Sequence, residues 1–151
     1  MIDELTELFD TAIYKEIASE ALYVAARKNT RDPGAKTLMR ELAEEEKKHA
    51  EWLKNFSEKG FAKHDWHPGK VRDLKISDYL TGGDSLEGAS LQDTLIFAMK
   101  REQQAVEFYS QMMSVMRDRD AKLLCQRLAQ EELKHKLKLE TFYDDQFYTE
   151  D

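Results

Sequence analysis

The chain has few of the residues that cross-link or interrupt a fold. Its single cysteine, Cys125, excludes an internal disulfide and a Cys-x-x-Cys site, and we predict that it is a small core residue in a reducing compartment. Only two of the 151 residues are proline, while charged residues make up 35% of the chain. Because proline interrupts helices and charged side chains cover their solvent faces, this balance favours long helices over sheets.

An excess of positive charge is also absent, since 30 Asp and Glu outnumber 23 Lys and Arg. Phosphate binding needs a basic stripe, so nucleic acid is not an expected partner. No segment approaches the roughly 20 apolar residues of a membrane span, and the N-terminal residues lack the features of a signal peptide. The sequence therefore predicts a cytoplasmic protein that binds neither nucleic acid nor membrane.

What the sequence does contain is helical periodicity. Apolar residues recur at alternating steps of three and four in four segments, 5–26, 35–56, 91–116 and 121–142. The pair Asp32-Pro33 has the form of an N-cap followed by proline at the first helical position. Residues 59–87 are rich in glycine and predict a long crossover, with a short helix near residues 76–80.

An internal repeat organises these helices. Residues 36–56 and 122–142 are identical at 10 of 21 aligned positions, at an offset of 86 residues. The repeat predicts an all-α, antiparallel four-helix bundle made of two helical hairpins. We expect a single domain over residues 1–151, with repeat halves at about 1–58 and 88–148 and a crossover at 59–87.

One spacing of acidic and histidine residues occurs once in each half. A glutamate is followed 30 residues later by Glu-x-x-His, which gives Glu16, Glu46 and His49, then Glu102, Glu132 and His135. All six lie in the apolar stripes of their helices. Each glutamate is about 15 residues, or roughly 22 Å of helix, from the turn of its own hairpin. Antiparallel packing therefore brings both glutamates of a hairpin to one level, and symmetric packing of the hairpins would bring all six groups together.

Charge balance indicates what these groups do. Ionised carboxylates are costly in an apolar interior, and four at one level also repel one another. Two divalent cations offset four carboxylates while the imidazoles stay neutral, and iron or manganese suits such ligands. A partly solvated seam of shared protons and waters is the alternative.

Three further residues are candidates for supporting the site. Tyr23 and Tyr109 each follow the first glutamate of their half by seven residues, so their hydroxyls could support ligand carboxylates. Ordinary core aromatics are the alternative interpretation. Glu20 follows Glu16 by one helical turn and could reach the metals. Glu45 and Glu131, adjacent to the ligands, are expected to face outward or toward a neighbouring helix.

At these residues the chain resembles the ferritin-like di-metal carboxylate proteins, and most closely the rubrerythrin-like group. The segments Glu46-Lys47-Lys48-His49 and Glu132-Leu133-Lys134-His135 carry the resemblance, which extends over all four helices. It implies a bundle of ferritin-like type holding two iron ions. It further implies that Glu46 and Glu132 bridge the metals, with Glu16 and His49 on one and Glu102 and His135 on the other.

The resemblance also implies an activity, the reduction of hydrogen peroxide or reaction with dioxygen at a di-iron centre. With one cysteine, this chain lacks the four-cysteine electron-delivering domain usual in the group, so electrons are expected from a separate protein. A seventh ligand, expected three residues after Glu102, is replaced by Ala105, with Ser19 as its repeat counterpart. The usual ligand shift is therefore not expected unless Glu20 substitutes.

The leading hypothesis is thus a di-iron oxidoreductase, expected to be a homodimer, that reduces peroxide with electrons from a donor protein. Ferroxidation with iron storage or delivery is the first alternative. A quinone hydroxylase needs an apolar membrane-facing surface, which a mean hydropathy of -0.71 disfavours. A metal-binding bundle without catalytic activity is the remaining alternative.

Overall fold

The computed structural model describes residues 4–60 and 88–147, and these ranges contain α-helices and no strand. There are four helices in them: α1 (Glu4–Asn29), α2 (Pro33–Gly60), α3 (Leu91–Val115) and α4 (Arg119–Phe147). Helix α1 packs on α2 and α3 packs on α4, so the chain forms two helical hairpins. The predicted all-α class with four helices in two hairpins is confirmed.

The two hairpins belong to different compact units, which span Met1–Gly88 and Ala89–Asp151. Helix α2 runs to Gly60, so the first two residues of the predicted crossover are helical. The rest of that crossover, with the short helix expected near residues 76–80, lies outside the described residues. The single-domain organisation stays a prediction.

Both hairpin turns end in the same N-cap. Asp32 Oδ2 accepts a hydrogen bond of 2.8 Å from Ala35 N, and Pro33 is the first helical residue of α2. In the second hairpin Asp118 Oδ2 accepts one of 2.8 Å from Ala121 N. Each cap satisfies a backbone donor that the first turn of a helix leaves without an intrahelical partner. The predicted cap at Asp32-Pro33 is confirmed, and Asp118 is its equivalent 86 residues later.

Helix α3 begins in a similar way. Ser90 Oγ accepts a hydrogen bond of 3.1 Å from Asp93 N, and Thr94 Oγ1 donates one of 2.9 Å to the carbonyl oxygen of Ser90. Gly88 precedes this cap with a φ of 80°, a backbone conformation that side chains disfavour. The caps therefore define where three of the four helices begin.

Packing inside each hairpin follows the apolar stripes. In the first, the rings of Phe9 and Phe56 stack at 5.2 Å and join α1 to α2. In the second, Cys125 is fully buried with its Sγ 3.5 Å from Met116 Sδ. This complete burial confirms Cys125 as a core residue, and it raises the pKa of the thiol to about 12. None of the described helices is long and apolar enough to cross a membrane.

Candidate metal centre

The first hairpin brings Glu16, Glu46 and His49 into one buried cluster. Glu46 and His49 share a face of α2 because they are three residues apart, and Glu16 approaches them from α1. His49 Nδ1 lies 2.7 Å from Glu16 Oε2 and 3.3 Å from Glu46 Oε1. The three residues are at most 1% exposed.

The second hairpin builds the same cluster from Glu102, Glu132 and His135. His135 Nδ1 lies 2.9 Å from Glu102 Oε2 and 3.1 Å from Glu132 Oε1. These residues are at most 3% exposed. The same histidine nitrogen faces the same two carboxylates in both halves, so the sequence repeat is also a repeat of the atomic contacts.

The turn caps explain why the clusters coincide. Glu16 lies 16 residues before Asp32 and Glu46 lies 14 residues after it. In the second half, Glu102 and Glu132 stand at the same separations from Asp118. Because each helix rises about 1.5 Å per residue, these nearly equal separations place the two carboxylates of a hairpin at one height.

Charge within each cluster is unbalanced. Two carboxylates can carry two negative charges, whereas one imidazole carries at most one positive charge. Both carboxylates are buried, so the excess negative charge lies away from the water that would stabilise it. A bound cation, or a proton held on a carboxyl group, removes the imbalance.

The donor set fits a metal ion. Ligand atoms about 2.1 Å from a metal and at right angles to each other are roughly 3 Å apart. The nitrogen-to-oxygen separations in both clusters run from 2.7 to 3.3 Å, in that range. Buried carboxylate and imidazole groups with this spacing could bind a transition metal.

The residues proposed to support the site differ in burial. Tyr23 and Tyr109 are both 1% exposed, and the ring of Tyr109 makes an edge contact of 5.4 Å with Phe108. Their support of ligand carboxylates stays a prediction. Glu20 is half-buried and lines a pocket of the first hairpin together with Tyr23. Its substitution for the seventh ligand also stays a prediction.

The neighbours of the ligands are partly exposed. Glu45 lies 3.7 Å from Lys48, and Glu131 lies 3.2 Å from Lys134, in each case across one turn of the helix surface. Both carboxylates are therefore partly solvated members of ion pairs, and whether they face outward stays a prediction. Ala105 is half-buried, and its side chain offers no atom that could bind a metal.

Sequence reasoning missed Trp52. Its ring centroid lies 5.2 Å from that of His49, with the two planes tilted by 37°. The signal was available, because Trp52 follows His49 by three residues and so shares its helix face. The equivalent position in the second half is Lys138, so this tryptophan has no counterpart in the repeat.

Comparisons with known proteins agree with this arrangement. A family model described as Rubrerythrin matches residues 7–143. Among solved structures, a hypothetical protein from Pyrococcus furiosus is similar at 26% identity and a TM-score of 0.72, covering 93% of this chain and 89% of that one. No curated protein matches the chain with significance. The family match includes all six predicted ligands.

Proposed function

We propose a function from the premise that this chain belongs to the rubrerythrin family. The two Glu–Glu–His clusters hold two metal ions, which are iron, with manganese as the alternative. The observation that carries this proposal is the duplicated cluster, in which each histidine Nδ1 lies within 3.3 Å of two buried carboxylates.

The ligand roles follow from charge and from the family. The resemblance to the family implies that Glu46 and Glu132 would each serve as a ligand of both metals. In the same way, Glu16 with His49 would hold one metal, and Glu102 with His135 would hold the other. Four carboxylates then offset the charge of two divalent cations, which removes the excess negative charge of each cluster.

The reaction that suits this site is the two-electron reduction of hydrogen peroxide to water. Two ferrous ions bound here would supply one electron each, so that peroxide, two electrons and two protons give two water molecules. The buried carboxylates would hold the ions in place together with the histidine Nδ1 atoms that face them. Trp52 covers His49 and limits the access of water to that half. Tyr23 and Tyr109 hold ligand carboxylates through their hydroxyl groups.

Two partners complete the proposal. A separate electron-donor protein returns the electrons, because this chain has one buried cysteine and so no cysteine-ligated iron centre of its own. A second copy of the chain forms a homodimer. Exposed apolar side chains on α4, including Leu133 at 42% and Leu137 at 53%, are compatible with such contacts.

Ala105 favours a second candidate, ferroxidation as part of iron handling. A site without the additional carboxylate has fewer ways to rearrange its ligands when the metals are oxidised. Such a site would consume dioxygen while oxidising ferrous iron and would not need a donor protein. The same loaded sample distinguishes the two candidates, because they differ in which oxidant reacts faster.

The test begins with protein purified without air and loaded with Fe(II). We expect about two iron ions per chain, and oxo-bridged diferric absorbance after one equivalent of peroxide per site. Stopped-flow measurements then compare peroxide with dioxygen at equal concentrations. Glu45→Gln is the matched control for Glu46→Gln, because Glu45 is the partly exposed neighbour of the proposed ligand.

We expect Glu45→Gln to react like the parent protein and Glu46→Gln to lose both iron and the absorbance change. Loaded protein that stays ferrous in peroxide would refute the peroxidase activity. Dioxygen reacting far faster than peroxide would favour ferroxidation. Zinc or manganese in the purified protein, with no iron uptake, would refute the di-iron assignment.

A further inference from the structure

A pocket outside the metal clusters opens on the first hairpin, between the C-terminal part of α1 and the N-terminal part of α2. It has a volume of about 460 Å³, within the range of about 300–1,000 Å³ found for small-molecule sites. Three buried side chains contribute to its lining, Tyr23, Met39 and Ala43. They give the pocket an apolar floor.

The wall of this pocket is basic. Five cationic residues line it against two carboxylates, Glu20 and Glu44, and the cations are Arg27, Lys28, Lys36, Arg40 and Lys47. This local excess contrasts with the net charge of -7 of the whole chain. None of the five basic side chains makes an ion pair within residues 4–60 and 88–147. Their charge is therefore available to a ligand.

The second hairpin has a pocket of about 630 Å³ at the equivalent place, and it serves as an internal comparison. Its cations, Arg117, Arg119 and Lys122, lie close together in the sequence at the turn. Met113 and Gln126 stand where the first pocket has Arg27 and Arg40. Tyr109, the equivalent of Tyr23, does not line it. The first pocket therefore differs from the second in two ways. Its cations come from both helices along their length, and its floor includes the buried Tyr23.

We propose that the pocket of the first hairpin binds a small organic anion, an aromatic or aliphatic body that carries a carboxylate or phosphate group. The body lies against Tyr23, Met39 and Ala43. The anionic group lies between Arg27 and Arg40, whose guanidinium groups can each donate two parallel hydrogen bonds to it. A concave site with an apolar floor favours a small molecule over the surface of a protein. The proposal stands independently of the reaction at the metals.

The experiment uses three matched probes on the full, metal-loaded chain. Naphthalene-2-carboxylate has both the body and the charge, naphthalene-2-methanol has the body alone, and inorganic phosphate has the charge alone. We expect calorimetry at low salt to give the tightest binding for the carboxylate. Binding should weaken as salt is added, and amide shifts in NMR spectra should centre on Lys36 and Ala43.

The decisive variant replaces the two arginines with their repeat counterparts, Arg27→Met together with Arg40→Gln. Both arginines are exposed, so the fold should persist. We expect naphthalene-2-carboxylate to bind about 10-fold more weakly or worse, since two charge-assisted contacts are lost. The control, Lys100→Gln with Lys138→Gln, makes the same change in net charge outside both pockets. It should change the affinity less than about 2-fold.

Four outcomes would overturn the proposal. Equal binding of the neutral probe would make the site a nonspecific apolar groove, and equal binding of phosphate would make it a cationic surface. An unchanged affinity in the arginine variant would place the ligand elsewhere. Displacement of the naphthoate by a poly-glutamate peptide that binds more tightly would make this face a docking surface for an acidic protein.

Discussion

In the first hairpin His49 Nδ1 lies 2.7 Å from its α1 glutamate, and in the second His135 Nδ1 lies 2.9 Å from its α3 glutamate. The turn caps also agree, because the hydrogen bonds accepted by Asp32 Oδ2 and Asp118 Oδ2 are both 2.8 Å long. The surfaces differ, because the second hairpin has exposed Leu133 where the first has Lys47. Positions in the Glu–Glu–His clusters and at the turn caps keep their residue, whereas Lys47 and Leu133 show that a solvent-facing position can change.

The halves also differ close to the clusters. Trp52 contacts His49, and its counterpart is Lys138. Buried Met39 in the first hairpin corresponds to buried Cys125 in the second. The two clusters therefore have matching donor atoms in unlike surroundings, which makes each half a control for the other.

Loss of a histidine should have the largest effect. We expect His49→Ala and His135→Ala each to lower Fe(II) affinity by more than about 100-fold, because even the groups that support ligands contribute about 10–100-fold. Competition with a chelator measures this affinity. The control is Lys48→Ala, because Lys48 is exposed. Equal losses would support equivalent half-sites, and a much smaller loss for one histidine would show that its cluster does not bind metal.

Metal removal should cost several kcal/mol of folding free energy. A metal present at about 1,000 times its dissociation constant stabilises the folded state by about 4 kcal/mol. In metal-free protein, Glu16→Gln and Glu102→Gln should each recover about 1–3 kcal/mol, because each removes a buried carboxylate charge. Urea denaturation with and without chelator measures both effects. Destabilisation of the metal-free protein by either substitution would contradict this account of the charge.

The caps should have smaller and equal effects. Asp32→Ala and Asp118→Ala should each lower the free energy of unfolding by about 1 kcal/mol, because each leaves a first-turn backbone donor without its side-chain acceptor. Urea denaturation of the metal-free protein measures this, and Asp→Asn at the same positions should retain most of the stability. A clearly larger loss of unfolding free energy at one position would mean that the two turns differ in ways that their matching hydrogen bonds do not show.

The last expected effect is a dependence of folding stability on the ionisation of Cys125, which appears only in alkaline solution. Burial raises the pKa of its thiol from 9.0 to about 12. An unfolded chain then loses the proton above about pH 9 while the folded chain retains it, so stability should fall as pH rises through that window. Cys125→Met, which copies Met39, should remove this contribution. Rapid reaction of the native thiol with a disulfide reagent at pH 8 would contradict its burial.

Much of the fold could be predicted from residue spacing. The apolar stripes required helices, and the break at Asp32-Pro33 predicted where α2 begins, which the structure confirms at Pro33. The spacing also predicted which glutamates would meet a histidine, because residues equidistant from a turn are level on antiparallel helices. Spacing could not predict that α2 continues to Gly60, since the glycine content of residues 59–87 favoured an earlier end.

By itself the sequence determined the helices, the two-fold repeat and the six candidate ligands, because these depend on periodicity and distance along one chain. Only tertiary structure decided that Nδ1 of each histidine faces two carboxylates, that the Trp52 ring contacts His49, and that Arg27 and Arg40 line a pocket with Tyr23. The physical reason is that contacts between helices depend on side-chain direction and packing, whereas periodicity records only which face of each helix a residue occupies.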